Sequence, residues 1–159
     1  MQLALSDSAE PGTFEAIFHA LDAASRARIG PARPRLLVIP IRDDTGAAIG
    51  GLWGISLFRW LHVEMLLVPE TMRNQGVGTA LMGLAETEAR RRDCLGMYVD
   101  TFSFQAAPFY EKLGFTRFGV LQDCPPGYAR LFFQKRLASQ KRFAPQKRCA
   151  PQKRCAPKC

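Results

Sequence analysis

The chain has 159 residues, 47% of them hydrophobic and 23% charged, which suits one globular domain with a buried core. No run approaches the roughly 20 consecutive apolar residues of a membrane span, and residues 1–7 lack the basic and apolar regions of a secretory signal, so a cytoplasmic protein without membrane contact is expected. The net charge of +8 makes no case for nucleic acid in the body: nine of the 22 Lys and Arg residues lie between positions 135 and 158, and no acidic residue follows Asp123.

Residues 3–5 read as a short first strand, ended by the polar Ser6-Asp7-Ser8. Phe14, Ile17, Phe18, Leu21 and Ala24 then recur at helical spacing behind a capping candidate, Thr13, and the helix is expected to stop at Gly30-Pro31. Residues 35–41 form a compact apolar run, read as a strand buried on both faces. Asp43-Asp44-Thr45-Gly46 supplies turn chemistry and residues 47–58 return, which makes a hairpin. In the strand at 60–68, strict alternation puts His62, Glu64, Leu66 and Val68 on one face and Leu61, Val63, Met65 and Leu67 on the other. From 75 to 92, Val77, Leu81, Leu84, Ala85 and Ala89 mark a helix with one buried stripe. Residues 97–99 are a short strand and 106–113 a short helix stopped by Gly114. Residues 115–121 and 128–137, joined through Pro125-Pro126-Gly127, form a last antiparallel pair. Strands and helices alternate in the middle and hairpins occupy both ends, which predicts an α/β fold with a mixed sheet flanked by helices.

From residue 140 the chain repeats every six residues, as Gln-Lys-Arg-Phe-Ala-Pro and then Gln-Lys-Arg-Cys-Ala-Pro, too rich in Lys, Arg and Pro to bury a core. The expected organisation is therefore a domain at 1–137 and a basic, low-complexity, disordered tail at 138–159. Cys149, Cys155 and Cys159 in the tail are spaced six and four apart without histidine, which fits no zinc pattern. Cys94 and Cys124 in the body are too few for a disulfide framework, and no metal site is expected. Nucleic acid enters as a partner only if the tail is functional.

Residues 73–78, Arg-Asn-Gln-Gly-Val-Gly, leave the strand at 60–68 and open the following helix. Glycine lets a ligand approach the backbone, the free amides of a first helical turn point at it, and the dipole adds roughly half a positive charge. Together these make a pyrophosphate site. No Lys-Ser or Lys-Thr follows the second glycine, as a P-loop requires, and Leu81 stands where a dinucleotide fingerprint wants a third glycine. The loop resembles the cofactor motif of the GNAT superfamily of N-acetyltransferases, Gln/Arg-x-x-Gly-x-Gly/Ala. Ala106-Ala107-Pro108-Phe109-Tyr110-Glu111-Lys112-Leu113-Gly114-Phe115 is similar to that family's Ala-x-x-Phe-Tyr-x-Lys-x-Gly-Phe segment, and Leu66-Leu67-Val68-Pro69-Glu70 to its strand before the loop. The resemblance covers residues 35–137. Asn74 stands where many members have glycine, and Ser103 where many have asparagine.

The resemblance implies a mostly antiparallel sheet with a V-shaped split between the strands at 60–68 and 97–101, and acetyl-CoA as co-substrate in the split. A bulge would free backbone groups of Leu66 and Val68 for the pantetheine arm. Arg73, Asn74, Gln75, Gly76, Val77, Gly78 and Thr79 would make the pyrophosphate loop, and Ser103 would serve a pantetheine amide. The acetyl group would pass directly to an amine. A lysine-like amine with pKa ~10.4 is neutral in only about one part in a thousand at pH 7, a deficit of roughly 4 kcal/mol, so a general base helps. Glu64 is the first candidate and His62 the second; Tyr110 matches the tyrosine that donates to the departing thiolate.

The acceptor is read as a primary amine of a small molecule or peptide, in a pocket built from residues 14–28, 102–104 and 122–127. The first helical region is short, so that pocket is either open or completed by a second subunit of a homodimer. Two other readings use the same loop. One is a non-catalytic acyl-CoA-binding module, which needs neither Tyr110 nor a base; the other is an acetyltransferase carried to RNA or ribosomes by its tail.

Overall fold

Six strands form one sheet in the computed structural model, which describes residues 3–137; the basic tail expected at 138–159 lies outside them. The chain runs α1 (Thr13–Ile29), β1 (Arg35–Arg42), β2 (Ala48–Leu57), β3 (Trp60–Leu67), a 3-10 turn (Glu70–Met72), α2 (Val77–Arg91), β4 (Gly96–Phe102), α3 (Ala107–Lys112), β5 (Thr116–Gln122) and β6 (Ala129–Arg136). The sheet order is β1-β2-β3-β4-β6-β5, and only β3 and β4 are parallel. This is the expected mixed, mostly antiparallel α/β architecture. Among the described residues no helix is long and apolar enough to cross a membrane.

β3 and β4 pair only from Trp60↔Gly96 to Val63↔Val99. Beyond that point β3 stays with β2 as far as Leu67↔Gly51, and β4 stays with β6 as far as Phe102↔Arg130. Each strand is thus held by its outer neighbour while the two part in a V. The parting begins at a β-bulge: Gly54 faces Val63 and Trp53 faces Met65, so Glu64 has no partner on β2. A Cβ on Gly54 would run into the His62 carbonyl, and only glycine permits so close an approach opposite the bulge.

The bulge overturns strict alternation along β3. One extra residue reverses the parity, so Leu66 and Val68 pack on the core that holds Leu61 and Val63, while Met65 and Leu67 are exposed on the His62 face. Leu66 therefore does not share a face with His62. The core lies between the sheet and α2, where Leu81, Met82, Ala85 and Ala89 meet Leu61, Val63, Met97, Val99 and Phe133. Met82 takes the buried place expected of Leu84, because the stripe follows 82-85-89 and leaves Leu84 exposed. The C-terminus of α2 is tied to the first hairpin by Arg92. Its guanidinium donates to the carbonyls of Arg35 (2.8 Å) and Leu36 (3.0 Å), to Ser56 Oγ (3.0 Å) and to Glu88 (2.6 Å).

Other expectations fail for identifiable reasons. Residues 3–5 join no strand; Leu3 and Leu5 are exposed, and the following Ser6 and Ser8 hydrogen-bond each other. Thr13 is the first residue of α1, whose N-cap is the left-handed Gly12. β1 is an edge strand packed on one face only, so Leu37, Ile39 and Ile41 turn to the core while Leu36 and Val38 stay exposed. Helix α1 does not bury its apolar stripe: Asp22 is its one buried residue.

Candidate active site

The parted strands open a cleft of about 970 Å³, bounded by β3 beyond Val63, β4 from Val99, the loop before α2, and α3. After the 3-10 turn the loop enters the left-handed region twice, at Asn74 (φ 59°) and Gly76 (φ 80°). Asparagine tolerates that conformation better than most side chains, so the turn survives where a glycine is usual. Gly76 caps α2 with no side chain, and Ala80 N–H is the first of the helix to reach a backbone carbonyl, that of Gly76 at 2.9 Å. The N–H groups of Val77, Gly78 and Thr79 are left for a ligand, and these residues line the cleft. Gly78 also packs closely, since a Cβ there would stand 3.2 Å from the Phe109 ring. Arg73 lines the rim, its guanidinium donating to the Val68 carbonyl and to Glu70, both at 3.3 Å. Gln75 stays outside the lining and braces the loop by donating to the Thr71 carbonyl at 2.8 Å.

On the inner side of the cleft α3 presents Tyr110. Its ring is buried against Phe109, Phe115 and Phe133. Among the described residues no group hydrogen-bonds its hydroxyl. Burial, with a smaller contribution from the charge of Asp100, pushes the phenol up to about 12, so it is a proton donor at any physiological pH. Ser103 is placed otherwise: its hydroxyl accepts the Ala129 N–H at 3.1 Å, and it does not line the cleft. Neither Cys94 nor Cys124 lines the cleft, and burial pushes the Cys94 thiol up.

Glu64 stands on the bulge at the opposite side and lines the cleft. His62 lies behind it, with Nδ1 3.7 Å from Glu64 Oε1 and Nε2 3.4 Å from Asp100 Oδ1. The His62 ring stacks on Tyr98 at 4.3 Å. Asp100 in turn accepts two donors of Arg130, Nε and Nη2, on Oδ2 at 2.6 Å each. A chain of ionisable groups, Arg130–Asp100–His62–Glu64, therefore crosses the mouth of the V from β6 to β3.

The chain matches the Acetyltransferase (GNAT) family over residues 4–115. It belongs to that family. An acetyltransferase of Agrobacterium fabrum is 41% identical over 86% of this chain and 99% of its own length. The blasticidin-S acetyltransferase of Streptomyces morookaense is 35% identical over 74% of this chain and 88% of its own. A crystal structure from Agrobacterium tumefaciens superimposes with a TM-score of 0.79, at 41% identity, covering 86% of this chain and 100% of that one.

In this GNAT acetyltransferase the cleft brings together most of the residues expected from sequence: Glu64, Leu66, Val68, the loop from Arg73 to Thr79 apart from Gln75, and Tyr110. His62 touches the site through Glu64, and Ser103 is diverted. Asp100 and Arg130, both lining the cleft, escaped the sequence reading. A signal existed for Asp100, a carboxylate that interrupts an apolar strand two residues after Tyr98. Arg130 carried none until the register placed it beside β4.

Proposed function

We propose that this GNAT acetyltransferase moves the acetyl group of acetyl-CoA to a primary amine of a small molecule or peptide by direct attack on the thioester. One observation carries the reading. A single cleft, running along the edge of β3 that β4 leaves unpaired, holds the uncapped start of α2 together with the Tyr110 phenol and the Glu64 carboxylate. The residues present fit the co-substrate: three unbonded first-turn amides, a doubly left-handed turn, and a glycine at 78 where an added Cβ would crowd the Phe109 ring.

Acetyl-CoA supplies the activated acetyl thioester. The amides of Val77, Gly78 and Thr79, at the positive end of α2, bind its pyrophosphate, and Arg73 adds charge at the rim. The open backbone edge at Leu66 and Val68 pairs with the pantetheine arm. Glu64 accepts the proton that the acceptor ammonium must lose, with His62 beside it to share the charge. The amine nitrogen then bonds to the thioester carbon, and the carbon–sulfur bond breaks with its electron pair leaving on sulfur. The Tyr110 hydroxyl donates a hydrogen bond to that sulfur, and the nitrogen releases its second proton to solvent as the amide forms. Glu64 places a carboxylate at the acceptor end, which favours a cationic amine, while the charge of Asp100 is offset by Arg130.

Free-thiol release from acetyl-CoA against a panel of amines tests the assignment. The panel holds polyamines, lysine and N-terminal peptides, and blasticidin S, which names a relative 35% identical to this chain. The expected result is thiol release that depends on the amine, with a product one acetyl group heavier. No binding of CoA would overturn it.

A further inference from the structure

Helix α1 carries an apolar stripe that the other described residues, 3–137, leave uncovered. Phe14, Ile17 and Leu21 are 72%, 65% and 65% exposed, and no residue of α1 belongs to the hydrophobic core or packs on it. Its buried residue, Asp22, is held locally: Oδ2 accepts Arg26 at 2.6 Å and Oδ1 accepts the Ala32 N–H at 2.5 Å. The second bond clamps the linker that holds Pro31 and Pro34 to the helix, and the stripe stays turned outward. Most of a helix's stability in a protein comes from packing of its amphipathic face rather than from propensity, and the 17 residues of α1 place none of theirs in the core. The stripe needs a cover.

The sheet offers a surface that fits it. Register places residues of β1, β2 and β3 in three rows on the face away from α2: Leu36, Ile55 and His62; Val38, Trp53 and Met65; Pro40, Gly51 and Leu67. The bulge at Glu64 is what brings Met65 and Leu67 onto this face. Leu36, Val38 and Trp53 are exposed, as are Met65 and Leu67 at 59% and 55%. Gly51 leaves a shallow floor among them. Stripe and face together offer on the order of 900 Å² of exposed apolar residues per chain, against about 800 Å² per partner in a stable interface.

We propose that α1 of a second copy of this chain covers the face, exchanged reciprocally in a two-fold symmetric dimer. Each copy carries one stripe and one receiving face, so the exchange closes at two and leaves neither surface bare. Met65 and Leu67 belong both to this face and to the lining of the cleft. The exchanged helix therefore walls the acceptor side of the cleft, a consequence that rests on the proposed reaction, whereas the dimer does not.

Light scattering on the full chain, without substrate, is the first arm of the test. The expected mass is twice the 17.7 kDa of one chain. Two variants, Ile17→Asp with Leu21→Asp on the stripe and Val38→Asp with Trp53→Glu on the face, should each give the mass of one chain. In the second arm a photo-crosslinking amino acid replaces Leu21 and a mixture of unlabelled and nitrogen-15-labelled chains is irradiated. Crosslinks should join labelled to unlabelled peptides of β1, β2 and β3. A single-chain mass for the unmodified protein overturns the proposal, and so do crosslinks confined to peptides of one label, which would mean that α1 docks on its own sheet. If the charged variants fail to fold, the crosslink arm still decides. Failure of the amine panel with a confirmed dimer would remove the reaction and leave the exchange standing.

Discussion

Replacing Tyr110 by phenylalanine removes one hydroxyl and keeps the ring contacts with Phe109, Phe115 and Phe133. With the phenol pushed up to about 12, it holds its proton at pH 7.5 in all but about one molecule in thirty thousand, whereas an ordinary thiol ionises near ~8.5. On the proposed mechanism the sulfur leaves as a thiolate, and its charge develops against this fixed donor. One such preorganised donor is worth roughly 2.7–4 kcal/mol, or 10² to 10³ in kcat. Sulfur is a weak acceptor, so the expectation is the lower figure, a fall in kcat of about 10². Acetyl-CoA affinity should change by less than about twofold, because loop amides and not the phenol hold the pyrophosphate. Stability should move by no more than about 1 kcal/mol, since the lost hydroxyl bonds no protein group. Steady-state thiol release, equilibrium CoA binding by calorimetry and a thermal melt measure the three quantities. Equal loss of CoA affinity, or an unchanged kcat, would refute the reasoning.

Asp100→Asn removes a negative charge 3.4 Å from His62 and frees Arg130. The expected result is a fall in kcat/KM for the amine of about tenfold, with acetyl-CoA affinity unchanged. An unchanged kcat/KM with a lowered melting temperature would mean that Asp100 only anchors Arg130. Gly76→Ala meets no atom within 4 Å but sits at φ 80°, so strain of about 1 kcal/mol and a raised acetyl-CoA KM are expected, and an unaltered KM would contradict the loop assignment. Hydrogen bonds from Arg91 and then Arg92 draw the Glu88 carboxyl down to about 2 from 4.5. A depressed carboxyl adds stability that is full above the unfolded value and lost as pH falls through the folded one. The melting temperature should therefore drop between pH ~4.5 and ~2, and Glu88→Gln should flatten that slope; an equally steep slope in the variant would exclude Glu88 as its source.

What was legible in the sequence is what short-range chemistry determines. The loop could be read because its glycines and the helix that follows are contiguous, and Phe109-Tyr110 because α3 is a local element of six residues. The paired strands could be read because apolar runs and turn residues recur along the chain. The burial of each face was not legible in the same way. Nothing local says that the apolar run at 36–39 forms an edge strand with one covered face, or that the stripe of α1 stays exposed among the described residues. Asp100 and Arg130 are 30 residues apart and meet only because β6 inserts between β4 and β5.

The bulge at Glu64 shows how a local irregularity carries the larger argument. Period-two alternation assigns every residue of β3 a face, and a single inserted residue reverses all assignments after it. That reversal takes Leu66 and Val68 to the core, turns Met65 and Leu67 outward, and leaves Glu64 without a partner on β2 at the point where β3 and β4 part. The candidate base, the open backbone edge for the pantetheine arm and the apolar face beside the acceptor entrance therefore share one cause. The cause has a visible counterpart on the neighbouring strand, because Gly54 is the residue that the bulge requires and a side chain there would strike the His62 carbonyl. A glycine in the middle of an otherwise apolar strand was the available sign that the alternation along β3 would break.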